Sequence, residues 1–461
     1  MVFSSLNFLF IFLPVFLILY YVIPFKAKNL VLLIASIIFY AWGEPVYVIL
    51  MLLNIGFNYV AGRQFEYLHD ERSRKKQLII AVIVNLFLLG FFKYAGLFTN
   101  TLNAIFKLGI EWKGLPLPIG ISFYTFQALS YVIDVYRGKV HVQRNIIDFG
   151  AYITMFPQLI AGPIVRYDQV ERQLRRRKIS WAKAGFGMNR FLFGLGKKVL
   201  LANNLGMLYT AIQAADSRSF LTAWLGAIAY SMQIFFDFAG YSDMAIGLGK
   251  MLGFDFAENF DYPYISSTVT EFWSRWHISL ATWFREYVYY PLGGNRVGVA
   301  RHILNLLIVW GLTGLWHGAN WNYVIWGLYY GVILILEKYI LSPLLKRLPK
   351  VVKHIYTLLL VIFGMAIFGN NDFSAMGAYM KNMIGGGVTG FADAAFLYYF
   401  KSNLILLLLS VFFCLPVFRK LMAKTEKEKP LINLIFGIAI FILSVGFLVS
   451  GSFNPFLYFR F

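Results

Sequence analysis

Two histidines lie between tryptophans in surroundings that are otherwise apolar. His317 sits in Trp316-His317-Gly318-Ala319-Asn320-Trp321, a glycine-rich break with an apolar run on either side. His277 closes Phe272-Trp273-Ser274-Arg275-Trp276-His277, about forty residues earlier. An ionisable side chain at membrane depth is costly, so it needs a partner or a job. Non-helical backbone at that depth is tolerated only where it lines a cavity or is buried in protein. A neutral imidazole there can take a proton from a hydroxyl near neutral pH. Two such groups meeting across a helix bundle would make a reaction chamber inside a membrane protein.

Other ionisable groups surround these motifs. Asp237 and Asp243 lie six residues apart in the apolar stretch Gln233 to Asp243. They can form a proton path, an ion site, partners for Arg275 or Arg285, or a buried ion pair or helix-break cap; the last is favoured. From Phe254 to Arg301, Trp273, Arg275, Trp276, Trp283, Arg285 and Glu286 interleave with tyrosines at helical spacing. That pattern suits short amphipathic helices at an interface or dipping into a cavity. Arg275 and Arg285 can serve an anionic donor or snorkel at the interface. His69, His141, His302 and His354 sit in or beside basic segments and read as hydrogen-bonded structural residues. No Gly-x-Ser-x-Gly, His-Glu-x-x-His or P-loop pattern occurs, which favours acid–base chemistry over metal or nucleotide chemistry. The single cysteine, Cys414, excludes an intrachain disulfide and a cysteine-based metal site.

These residues need a scaffold, and the composition says which kind. Of 461 residues, 59% are hydrophobic, 19% aromatic and only 14% charged, against about 25% charged in soluble domains. Apolar windows recur along the chain, near 6–24, 29–42, 46–62, 78–93, 116–136, 188–207, 218–236, 303–316, 320–340, 352–369, 403–418 and 431–450. They predict a polytopic membrane protein. The first window has no basic flank before it and reads as a retained span. The net charge of +20 clusters in short loops, among them those holding Arg72 to Lys76, Arg172 to Lys178, Lys346 to Lys353 and Arg419 to Lys429. Positive loops face the cytoplasm, which accounts for the charge without nucleic acid. Loop counting then puts the N-terminus and C-terminus outside. Ile147 to Val165 is apolar but flanked by basic regions on both sides. With Pro157, Gly162 and Pro163 breaking it, a re-entrant or buried hairpin is expected. No internal repeat of the transporter kind is visible.

Taken together, the motifs resemble the membrane-bound O-acyltransferase (MBOAT) family. The likeness is to its bacterial branch of alginate O-acetylation, peptidoglycan acetylation and teichoic-acid D-alanylation proteins. It rests on Val2 to Phe10, Pro118 to Gln127, Phe156 to Ile164 and the two histidine motifs. The resemblance implies an all-α polytopic membrane fold of one domain, 1–461, with about 11 transmembrane helices and re-entrant and amphipathic helices around a central tunnel. N-terminal spans would occupy 1–140, the core with both histidines 141–340, and the C-terminal spans and aromatic motif 341–461. It implies that His317 matches the catalytic histidine and His277 the second position. It also implies a cytoplasmic thioester donor, acetyl-CoA or an acyl-carrier thioester, with no bound cofactor and no metal. An extracytoplasmic acetyltransferase-like partner would receive the acyl group at a bacterial plasma membrane. The chain ends Phe456-Leu457-Tyr458-Phe459-Arg460-Phe461, and this resembles an acyl-transfer motif in which Tyr458 would carry the acyl group. An aromatic interfacial anchor is the alternative. D-alanyl transfer from a carrier protein to teichoic acid is the second reading within the class. A transporter or channel using His317, Asp237 and Asp243, and a scaffold that recruits another transferase, are readings outside it.

Overall fold

The computed structural model describes residues 1–455 apart from 216, 371, 429 and 452, without the side chains of 423, 425–428 and 430. Every regular element among the described residues is helical. That is what an apolar chain in lipid requires, because a helix satisfies its backbone polar groups within one segment. In chain order the α-helices are α1 Leu13–Val22, α2 Lys28–Ala41, α3 Tyr47–Gln64, α4 Glu71–Phe106, α5 Ile121–Tyr136, α6 Ile146–Thr154, α7 Phe156–Leu159, α8 Tyr167–Arg175, α9 Trp181–Gly196, α10 Asn203–Gln213 and α11 Phe220–Met251. There follow α12 Val269–Arg275, α13 Ile278–Phe284, α14 Val299–His317, α15 Trp321–Leu336, α16 Ser342–Arg347, α17 Lys350–Phe368, α18 Phe373–Met383, α19 Ala394–Ser402, α20 Leu404–Phe413, α21 Val417–Glu428 and α22 Pro430–Ser450.

Among the described residues five helices are long and apolar enough to cross a membrane, or six if the bent pair α19 and α20 forms one span. The expected count of about 11 is therefore not reached by length and composition. Several expected spans are short: α2 has 14 residues and α5 has 16. At 1.5 Å per residue such helices cover roughly 21–24 Å of a hydrocarbon layer about 30 Å thick.

The chain divides into two compact units. The first comprises Met1–Phe191 and Tyr241–Ala257. Its α5 is buried along nearly its whole length. The expected break in Ile147 to Val165 is present: Met155, with ψ 103°, separates α6 from the single turn of α7, where Pro157 stands in the first turn. Phe156 N donates to Ser36 Oγ at 3.1 Å, and the whole run Phe149 to Val165 is buried. Gly120 turns the chain into α5 at φ +75°, and a Cβ there would come within 2.8 Å of the Leu159 carbonyl.

The second unit comprises Leu192–Gly240 and Glu258–Phe461. Its core includes Leu205, Phe236, Tyr330 and Val361. The hairpin of α14 and α15 is closed by small residues: Cβ atoms on Gly314 and Gly327 would collide with the Tyr323 and Trp310 carbonyls. Small residues of this kind let helix backbones approach in a membrane. Three π-helical segments, Lys197–Ala202, Arg285–Tyr289 and Glu337–Leu341, interrupt this unit. Such turns frequently mark functional sites.

Candidate active site

Three anchors fix the segment that carries His277. Thr268 caps α12, its Oγ1 accepting from Glu271 N at 3.0 Å. Glu337, from the π segment after α15, accepts from Val269 N at 2.7 Å, Thr270 N at 2.8 Å and Thr270 Oγ1 at 2.5 Å. After α12 the backbone extends at Trp276, and His277 then takes a left-handed conformation, φ 45° and ψ 53°. That region is sparsely used by residues other than Gly, Asn and Asp, and holding a side chain there costs about 1–3 kcal/mol. The third anchor, Asn259, holds it: the Asn259 carbonyl accepts from Ile278 N at 3.0 Å, and Asn259 Oδ1 accepts from Ser279 N at 3.2 Å.

The same amide defines the imidazole. Ser279 N can only donate, so the Asn259 atom it meets is the oxygen. Oδ1 also accepts from Ser279 Oγ at 2.8 Å and lies 3.2 Å from His277 Nδ1. Nδ1 therefore carries the proton in neutral His277, and Nε2 keeps its lone pair. Nε2 is buried with no hydrogen-bond partner among the described residues. Burial, and secondarily the neighbouring His317, push the His277 pKa well below the ordinary imidazole value. Nε2 is thus a buried lone pair that can accept a proton.

His317 is the last residue of α14, where Gly318 extends the chain. It is 5% exposed and lies 6.5 Å from His277 between ring centroids. The sequence left open whether the two histidines face each other, and the fold brings their rings this close. Aromatic rings pack on both imidazoles: Trp316 and Phe238 on His277 at 5.8 and 4.6 Å, Trp326 and Phe368 on His317 at 5.1 and 5.4 Å. Trp273 stands edge-on to Trp326 and Tyr330 at 5.4 and 4.8 Å. The indole N–H groups of Trp273 and Trp326 are buried without acceptors among the described residues. Buried donors are costly unless satisfied, so these two N–H groups suit a guest with acceptor oxygens.

The other sequence candidates divide. Trp276 packs on Phe272 and Phe260, and Trp283 packs on Phe284 and Tyr287. Asn320 is half-buried at the start of α15. Arg275 is engaged by Asp261 Oδ2 at 3.2 Å and Glu271 Oε1 at 3.0 Å. Arg285 is exposed and reaches Thr282 Oγ1 at 3.3 Å. Asp237 and Asp243 pair with neither arginine: Asp237 binds Lys198 at 2.6 Å, and Asp243 binds Arg190 at 2.8 Å. Six residues turn an α-helix by about 600°, so the two carboxylates leave α11 on different sides. This is the ion-pair reading, buried at Asp237 and part-buried at Asp243, with other cations than those the sequence suggested. Tyr458 lies outside the described residues. His141, His302 and His354 bind Glu171, Tyr289 with Tyr339, and the Ser266 carbonyl, as structural histidines do. Sequence reasoning missed Asn259, Ser279, Glu337 and Lys198. Among the described residues no group of three or more His, Cys, Asp or Glu could hold a metal ion.

With this geometry in hand, similarity to known proteins becomes informative. The model of the membrane-bound O-acyltransferase family matches residues 141–368, which hold both histidines. The chain is 46% identical to the probable alginate O-acetylase AlgI of Pseudomonas aeruginosa over 373 residues, 80% of this chain and 72% of the relative. It is 32% identical to the peptidoglycan O-acetyltransferase of Helicobacter pylori over 421 residues, 84% of this chain and 80% of the relative. Similarity to the teichoic acid D-alanyltransferase of Bacillus subtilis is 29% over 280 residues, 55% of this chain and 69% of the relative.

Proposed function

The chain belongs to the membrane-bound O-acyltransferase family and is a multi-pass membrane O-acyltransferase, and on that premise we propose that it moves acetyl groups from cytoplasmic acetyl-CoA to hydroxyls of an extracytoplasmic polysaccharide of the alginate or peptidoglycan kind. The observation that carries the reading is the pair of buried imidazoles 6.5 Å apart, one with a fixed tautomer and a free Nε2, packed by aromatic rings. Acyl transfer from a thioester needs a base for the acceptor hydroxyl and a site that excludes water.

In the proposed reaction the acceptor oxygen attacks the thioester carbonyl and gives its proton to His317. The carbon–sulfur bond breaks, and the departing CoA thiolate takes that proton from His317, through His277 Nε2 as the relay, while Asn259 keeps Nδ1 protonated. The Trp273 and Trp326 N–H groups are candidate donors to the thioester carbonyl. Arg285 is the available cation for donor phosphates, since Arg275 is occupied. Tyr458 is proposed as first acceptor, passing the acetyl group to an extracytoplasmic acetyltransferase-like partner in a bacterial plasma membrane. The second reading, D-alanyl transfer from an acyl-carrier protein, has lower similarity over a shorter stretch in its support. An ion path is disfavoured because Asp237 and Asp243 are each paired with a different cation.

The test supplies purified protein in lipid nanodiscs with radiolabelled acetyl-CoA or a D-alanylated carrier. Acetyl label on the Tyr458 peptide, absent in a His317→Ala variant, is expected. Label from the carrier alone would replace acetyl by D-alanyl. Label elsewhere than Tyr458 would remove the relay while keeping the transferase.

A further inference from the structure

The sequence ahead of the aromatic motif makes three contacts within the second unit, and they have a direction. Phe453 sits against Gly206, where a Cβ would meet its ring at 3.1 Å and also the Gln233 amide. Asn454 Oδ1 accepts from Asn203 Nδ2 at 3.2 Å. Pro455 O accepts from Lys198 Nζ. Successive residues 453, 454 and 455 thus meet Gly206, Asn203 and Lys198. The chain runs backward along α10 and its π segment, and forward along α11 from the level of Gln233 to that of Asp237.

Lys198 is the end of this track. Its ammonium binds Asp237 at 2.6 Å, and both side chains are 3% exposed. The approach depends on Gly240 one turn further along α11, where a Cβ would come within 2.7 Å of Gly194 O and 3.1 Å of Lys198 N. The residue after Asp237 is Phe238, whose ring meets the His277 ring edge-on at 4.6 Å. A buried ion pair is a poor stabiliser, because apolar residues of the same volume fill such a site as well or better. A buried pair whose ammonium also holds a main-chain carbonyl from a distant segment fixes position instead.

We propose that Lys198, Asp237 and Asn203 form a clamp that holds residues 453–455 against the stretch of α11 whose next residue, Phe238, meets the His277 ring. They are positioning residues for acyl transfer. This rests on the reading of Tyr458 as first acceptor. Tyr458 follows Pro455 by three residues, a reach of up to about 10 Å in extended chain. The clamp supplies the fixed end from which that short reach is productive.

The experiment uses the full chain in nanodiscs, with Cys414→Ala and Pro455→Cys as the parent, which keeps the Asn454 amide and the main-chain carbonyl of residue 455. Two properties are read: the labelling rate of Cys at 455 by a water-soluble maleimide, and single-turnover uptake of acetyl from acetyl-CoA. The double variant Lys198→Met/Asp237→Leu removes both charges and keeps the volume; Asn203→Leu is the milder variant should the double one fail to fold. The clamp predicts labelling at least tenfold faster, acetyl uptake about 10–100-fold slower, and half-saturating acetyl-CoA unchanged within twofold. Unchanged labelling overturns the clamp whatever Tyr458 does. Faster labelling with unchanged uptake overturns its role in transfer. A parent that takes up no acetyl at Tyr458 sinks the relay instead, and the clamp then stands or falls on labelling alone.

Discussion

Asn259 and His277 form a fixed pair: one amide oxygen meets Nδ1 at 3.2 Å while the same residue's carbonyl holds the next backbone N–H at 3.0 Å. A single residue thereby sets both: its side chain fixes the imidazole's tautomer and rotation, and its main-chain carbonyl holds the left-handed turn beneath it. The lone pair of Nε2 is left over, and it belongs to the ring that faces His317.

Removing only the amide should separate orientation from fold. Asn259→Ala keeps the carbonyl that binds Ile278 N, so the turn remains, but Nδ1 loses its acceptor. Acetyl transfer should fall about 10–100-fold, equivalent to roughly 1.4–2.7 kcal/mol in the barrier. Asn259→Asp retains an acceptor and favours the imidazolium, so it should recover orientation while moving the acid limb of the pH–rate profile upward. Equal rates in all three proteins would show that the pair is not used.

The two histidines should respond differently to truncation. His317→Ala should abolish transfer at unchanged protein level in the membrane. His277→Asn should leave residual transfer and a sound fold, since asparagine tolerates the left-handed conformation. His277→Val puts a β-branched residue at φ 45° and should melt lower than the Asn variant, by about 1–3 kcal/mol of stability. Matching melting curves for Asn and Val would contradict the strain at this position.

The histidines were legible in sequence because an imidazole between tryptophans in an apolar stretch is costly unless used. That they could meet across a bundle followed from the same premise, but that they face each other did not, because about forty residues of chain separate them with no pattern that fixes their approach. Asn259 was not: it lies 18 residues before His277, in a segment where an asparagine is unremarkable, and only the chain reversal brings it back. The ion pairs were half legible. The apolar setting of Asp237 and Asp243 demanded cations, but sequence separation does not choose among them: Lys198 lies 39 residues before Asp237 and Arg275 lies 38 after it. The number of spans was least legible, because apolar windows do not show where a helix bends or stops.

Glu337 was also invisible in sequence, yet it holds the start of α12. Glu337→Ala would strand Val269 N, Thr270 N and Thr270 Oγ1 without their acceptor, at a cost of about 1–3 kcal/mol. Because α12 leads directly into His277, thermal stability and transfer should fall together. Glu337→Gln keeps one acceptor oxygen and should lie between. A variant that loses stability but keeps full transfer would mean that α12 does not govern His277.

His277 also makes a signed prediction about pH. Its folded pKa is lowered, chiefly by burial and secondarily by His317. The unfolded chain then binds this proton near pH 6.5 while the folded chain does not. Stability from the neutral imidazole is full above about pH 6.5 and is lost as pH falls towards the folded value, with a slope of up to about 1.4 kcal/mol per pH unit. Other histidines and carboxylates titrate in the same range, so the absolute curve does not isolate the effect. The difference between wild type and His277→Asn does. In nanodiscs the two melting midpoints should run parallel above pH 7. Below pH 6.5 the wild type should decline more steeply. Parallel curves down to pH 5 would mean that His277 accepts a proton in the folded state as readily as in the unfolded one, and the buried, neutral imidazole on which its proton-relay role depends would be lost.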